Sequence, residues 1–236
     1  MVNGEACDEA VALARENPRL GVGLHLTLVM GRSTLPPAEI PGLVNARGEF
    51  SDNPVFSGFR YFASRGLRDP LRREIAAQLA KFRATGLPLD HVNGHLNMHL
   101  HPIVFGLLME CAEKSCIRRM RLTNDSFWLN ACLASGQWLY RASHAIIFRL
   151  LSWRARGELA RRGIRHTVRV FGLLQNARVD EEFTARLLSP LPAGDSELYS
   201  HPSLDEFKSE LDALISSRVK ALVSHQRIQL IRYQDL

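Results

Sequence analysis

Six of the nine histidines in this 236-residue chain occupy three places, and each place lies at or beyond the end of a β-like run. His25 stands in G-L-H-L. His91, His95, His99 and His101 fall in D-H-V-N-G-H-L-N-M-H-L-H-P, and His201 in E-L-Y-S-H-P. Neutral imidazole is the commonest protein ligand for catalytic divalent ions, and it also gives and regains a proton near neutral pH. In parallel α/β sheets and barrels, ligands and catalysts collect at the carboxyl ends of strands. Three such ends that each deliver an imidazole point to metal-assisted or acid–base chemistry.

The 91-to-101 run admits two geometries. A four-residue step through His91, His95 and His99 places three rings on one helix face, as in helical metal motifs. Asn93-Gly94 in mid-run and Pro88 before it oppose a helix. As a strand running into a loop, His91, Asn93 and His95 share one side, and His99 and His101 keep that parity if the chain stays extended. The strand reading is favoured. A lone His after a strand is usually structural, and His144, His166 and His225 have no context that says otherwise.

The elements that position these groups alternate between helical and β-like patterns, the mark of an α/β protein with a mostly parallel sheet. Helices are predicted at 5–16, 71–85, 102–114, 136–162, 181–188 and 204–216. Strands are predicted at 20–28, 88–95, 117–122, 168–173 and 197–201, with a further one at 228–233. Asp69 and Pro70 stand as N-cap and first residue of the second helix. Residues 31–69, rich in Pro, Gly and Ser, read as a long loop.

At 46% hydrophobic and 23% charged, the chain reads as a single domain over 1–236 with a full core, in preference to two small ones. No run reaches the roughly 18 apolar residues of a membrane span, and the opening M-V-N-G-E is no signal peptide. Cys7, Cys111, Cys116 and Cys132 form no C-x-x-C pair, as expected of free thiols in the cytoplasm.

The motifs G-V-G-L-H-L-T-L, D-H-V-N-G-H-x-x-x-H-x-H-P and E-L-Y-S-H-P, in this order, resemble the YdjC-like carbohydrate deacetylases. That family includes chitooligosaccharide deacetylases and a branch associated with hopanoid biosynthesis, which the V-N-G-H form most resembles. The resemblance runs from Met1 to Leu236. It implies a distorted TIM-like (β/α) barrel and a divalent metal, Mg or Zn, with His25 and His95 as ligands. It further implies His201 as general acid, Arg121 and His99 at the substrate, and an N-acetylated sugar or glycolipid as substrate. The family's metal-binding and base Asp pair precedes the segment that Met1-Val2-Asn3 matches. The expectation is therefore a barrel lacking its first strand–helix unit, roughly 30 residues, with activity weakened or lost. An inactive remnant serving as a binding or scaffold protein is the alternative. Asn97 also stands where many relatives carry His.

The net charge of +6 is local: residues 141–169 hold eight Arg against Glu158 alone, leaving −1 elsewhere. No nucleic-acid motif accompanies it. Residues 137–165 read either as a barrel helix with a solvated basic face or as an interfacial helix in peripheral contact with anionic membrane. A homodimer stays open.

Overall fold

The computed structural model describes residues 1–175, 178–189 and 191–236. The chain divides into two compact units. The first comprises Met1–Arg121, Ala155–His166 and Arg232–Asp235; the second comprises Leu122–Arg154 and Thr167–Ile231, with Leu236.

In the first unit, β1 (Leu24–Leu26) pairs in parallel with β2 (Val92–Gly94), with His25 opposite Asn93. The pairing extends through single parallel bridges from Val92 to Met120 and from Arg119 to Arg165. Helices follow the strands. Between β1 and β2 come α2 (Pro54–Ala63) and α3 (Arg68–Ala84), and β2 leads through a tight turn into α4 (Pro102–Ala112). Leu71, Ile75, Leu79 and Phe82 recur every three or four residues and make one buried stripe along α3. That helix packs on β1 and on α4, where Val104 and Leu108 are fully buried. Each such side chain contributes about 1.5–3 kcal/mol of burial. The helix α1 (Cys7–Glu16) precedes β1 and buries only Ala14.

Polar groups of α3 close the end of β1. The Gln78 side chain accepts from Thr27 N at 3.0 Å and donates to Thr27 O at 2.7 Å. Glu74, fully buried, accepts from the backbone of Thr34 and Leu35 and from Gln78. Glu74 thereby folds back part of the segment expected to be a loop, and α2 orders more of it. Asn53 caps α2, accepting from Phe56 N at 2.9 Å, and Pro54 opens it.

In the second unit, β3 (Arg169–Phe171) pairs in parallel with β4 (Ser196–Leu198). Around them lie α5 (Phe127–Leu133), α6 (Trp138–Arg161, whose last residues belong to the first unit), α7 (Glu181–Leu188), α8 (Lys208–Ile215) and α9 (Ser217–His225). Phe171, Val179, Phe183 and Leu187 form one core; Phe148 of α6 packs with Val170, Leu173 and Leu174 in another.

The mixed α/β class is as expected. The described strands form two short parallel pairs with added bridges, not a closed barrel. Three local expectations are corrected. Asp69 does not cap α3, which continues from a 3-10 turn at Arg65–Leu67; Asp69 instead pairs with Arg72 and Arg73. Residues 228–233 form no strand, and a 3-10 turn covers Tyr233–Asp235. The run 117–122 pairs through bridges alone.

Candidate active site

The parallel register sets His25 beside Asn93, and the chain turns sharply just after β2. Gly94 permits that turn: a Cβ there would stand 2.9 Å from His99 N and 3.0 Å from its Cβ. Leu96 and Asn97 then take left-handed conformations, φ 47° and 58°, inside the 3-10 turn His95–Leu100. This coil brings the His95 ring back to β1. His25 Nε2 and His95 Nδ1 lie 3.4 Å apart, with the rings edge to face at 5.5 Å between centroids.

Behind His25 stands a line of hydrogen-bonding groups. Its Nδ1 lies 2.7 Å from the Asn93 amide, which lies 3.1 Å from His91 Nε2; His91 Nδ1 is 2.9 Å from Asp90 Oδ2. Asp90 is almost wholly buried, which favours its neutral form. Hydrogen bonds from His91 and from the Gln234 and Tyr233 backbone outweigh that, and hold its carboxyl below the usual value. The Tyr233 ring stacks on His91 at 4.3 Å.

The Asn93 amide has two orientations with opposite consequences for His25. With its oxygen toward His25 it accepts from Nδ1–H, while its nitrogen donates to His91 Nε2. The lone pair of His25 is then on Nε2, facing His95. Turned over, the amide nitrogen donates to His25 Nδ1, and the oxygen accepts from Arg121 Nη1 at 3.2 Å and Nη2 at 3.3 Å. The His25 proton then sits on Nε2. Burial also lowers His25 to about 4, so the ring is neutral at physiological pH.

This donor set fits a divalent ion at two of its positions. Nitrogens bound tetrahedrally at about 2.1 Å would lie about 3.4 Å apart, and a ligand His with its second nitrogen hydrogen-bonded is the usual arrangement. Among the described residues no Asp, Glu or Cys joins the pair to make a group of three.

Arg121 is buried beside Asn93. His99, expected at the substrate, is fully buried, with Nε2 3.0 Å from Arg121 O. Burial lowers it to about 3. The extended parity assumed for residues 95–101 fails at Leu96 and Asn97, and His99 becomes a support for the Arg121 backbone.

In the second unit His201 follows β4 and is partly exposed. Its Nε2 lies 2.6 Å from the Tyr199 hydroxyl and its Nδ1 3.8 Å from Glu210 Oε2. Glu210, fully buried, also accepts from the backbone N–H of His201 and, at 2.9 Å, of Val179. Sequence reasoning missed Glu210 because nothing in a helical K-S-E-L run marks it. The link from His91 to Asn93 was legible, since both share the parity of His95. A cavity of about 850 Å³ in the first unit is lined by Met30, Leu43, Asn45, Phe50 and Arg60 among others, and by none of the histidines.

An α/β protein with two imidazoles converging beside parallel strands defines the class. The chain belongs to the YdjC-like protein family, whose match covers residues 1–225. It is 39% identical over 114 residues to a carbohydrate deacetylase of Geobacillus stearothermophilus, covering 48% of this chain and 43% of that protein. It is 32% identical over 121 residues to a chitooligosaccharide deacetylase of Proteus mirabilis (strain HI4320), covering 50% and 44%. These matches thus span less than half the length of either relative. The fold resembles the crystal structure of a candidate cellobiose-phosphate cleavage protein from Enterococcus faecalis V583. The TM-score is 0.70 at 19% identity, over 100% of this chain and 85% of that one.

Proposed function

We propose that the protein is a carbohydrate N-deacetylase that hydrolyses the acetamide of an N-acetylated sugar with the help of one divalent ion. The observation that carries this reading is the 3.4 Å approach of His25 Nε2 and His95 Nδ1. The activities named for its relatives support it.

In the reaction the water oxygen bonds to the carbonyl carbon, the C–N bond breaks, and the nitrogen leaves as an amine with one added proton; acetate is the other product. A divalent ion held by His25 and His95, Mg or Zn, would polarise the carbonyl and acidify the water. An ion at Nε2 would require the Asn93 oxygen to face His25 and hold the proton on Nδ1, in place of the bonds that oxygen accepts from Arg121 in the opposite orientation. Arg121 supplies a buried guanidinium suited to substrate oxygens. His201 delivers the proton to the leaving nitrogen, oriented by Tyr199 and Glu210.

Several finer features belong to this proposal. The two units are read as parts of one domain, 1–236; a family match over residues 1–225, with segments of both, supports this. The architecture is a distorted TIM-like barrel; parallel pairing from β1 through β2 to residues 119–120 and 165, with helices between, supports it. The V-N-G-H motif favours a lipid-linked, hopanoid-associated substrate. Four free cysteines accord with the cytoplasm.

The test is acetate release from N-acetylglucosamine oligomers, with and without chelator, by the full chain and its His25→Ala and His95→Ala variants. Release that survives both chelation and the substitutions would remove the assignment. A second reading, a binding protein that retains the fold, is favoured by the lack of a third ligand among the described residues. Sugar binding without acetate release, metal supplied, would establish it.

A further inference from the structure

The helix α6 buries one face and exposes an apolar stripe on the opposite one. One face is buried in the second unit through Arg141, Phe148 and Ser152. The other exposes Leu139 (89%), Ile146 (62%), Leu150 (59%) and Trp153 (74%). At 100° per residue these four fall within an arc of about 60°, roughly opposite Phe148. Arg149 and Arg154, both exposed, lie on the two flanks of that arc. The chain has three tryptophans, and all are exposed within this unit: Trp128, Trp138 and Trp153.

We propose that this outer face of α6 docks the protein on the surface of an anionic lipid bilayer. An apolar stripe bordered by arginines suits the boundary between headgroups and acyl chains, where Trp is enriched and arginine stems lie along apolar surface with their heads in the polar layer. No helix of the described residues is long and apolar enough to cross a membrane, so the contact is peripheral. The charge selects the occupant. Residues 141–169 contain eight Arg and one acid, Glu158, and Glu158 is engaged by Arg161 and Arg162. The stripe also has the spacing of a coiled-coil seam, which raises a second copy of the chain as occupant. In that pairing Arg149 and Arg154 would take the flanking positions and meet the partner's arginines with no acid to offset them. An anionic surface meets no such repulsion, and exposed arginines such as Arg149 and Arg154 add to the attraction. The inference is independent of the deacetylase reading.

The experiment mixes the full chain with phosphatidylcholine vesicles, with and without phosphatidylglycerol, and measures co-flotation together with tryptophan emission. Binding should require phosphatidylglycerol, weaken with salt and shift the emission to the blue. Replacing Leu150 and Trp153 by Ser, or Arg149 and Arg154 by Glu, should lower partitioning about tenfold or more. Melting temperatures close to the parent's would show both variants folded, and the arginine pair leaves all three tryptophans in place as reporters. Binding indifferent to lipid charge, or undiminished in both variants, would overturn the proposal. So would a sedimentation-detected dimer that Leu150→Ser dissociates, because the face would then belong to a second copy.

Discussion

His25 Nε2 and His95 Nδ1 face each other across 3.4 Å, one from β1 and the other from the turn that follows its parallel neighbour. In the proposed reading these two rings share one ion, so loss of either leaves a single protein donor. Changes one layer further out typically cost 10–100-fold in affinity, and His25→Ala or His95→Ala should cost about 100-fold or more. Zinc titration by calorimetry checks this. Equal affinity in parent and both variants would place the ion elsewhere.

Asn93 decides which His25 nitrogen carries the proton. Asn93→Leu removes the partner of His25 Nδ1 and should weaken zinc binding about 10–100-fold. Asn93→Asp offers only acceptors, which fixes the proton on Nδ1 and gives Arg121 a charged partner; its affinity should equal or exceed the parent's. A Leu variant that binds like the parent would show that the amide has no say in the tautomer.

Acid should destabilise the protein through its buried imidazoles. Burial lowers His25 to about 4 and His99 to about 3, from 6.5. The unfolded chain therefore binds more protons than the folded one below pH 6.5. The stability tied to these rings is complete above that pH and is lost as pH falls through 4 and then 3. The difference corresponds to about 3 kcal/mol for His25 and about 5 kcal/mol for His99, as orders of magnitude. Urea midpoints between pH 7 and 4 should fall, and His25→Asn should remove roughly half of the slope. An unchanged slope in that variant would exclude His25 as its source.

Two glycines should respond in opposite directions to alanine. At Gly94 the new methyl would press on His99 N at 2.9 Å, and the cost should be about 1–3 kcal/mol. At Gly106, inside α4, a Cβ meets nothing within 4 Å, and alanine should add about 0.5–1 kcal/mol. Thermal melts of both variants decide the matter.

Glu210 holds the His201 backbone, so Glu210→Ala leaves the N–H groups of His201 and of buried Val179 without this acceptor. Stability should fall by about 1–3 kcal/mol, and acetate release should fall with it. His201→Asn should suppress acetate release with melting temperature nearly unchanged, because that ring is partly exposed. Undiminished release by His201→Asn would exclude it as the acid.

Much of this arrangement is readable in the residues, and the exceptions have physical causes. α7 spans Glu181–Leu188 as expected, because Asp180 caps it and Phe183 and Leu187 share its buried face. The helix α2 escapes a reading of the sequence because its apolar residues mislead: Val55, Phe59 and Phe62 face solvent, so they mark no core. The helix α9 escapes it because Ser216, which looks like a stop for α8, instead accepts from Val219 N and starts a new helix. Convergence of His25 with His95 follows from strand order. The burial of His99 does not, since two left-handed residues redirect the chain and no propensity scale requires Leu96 to be one of them.

The segment Arg232–Asp235 has a temporal meaning. Gln234 N donates to Asp90 Oδ1 across 144 positions, and Arg119 Nη2 donates to Gln234 O. Ring closure over so long an intervening chain is entropically slow to satisfy. During synthesis β1, β2 and their histidines leave the ribosome long before this segment does. The carboxylate at the far end of the relay therefore waits for its backbone donors until translation of residues 232–235 is complete. The donors of Asp90 are thus made about 140 residues after the strand they serve.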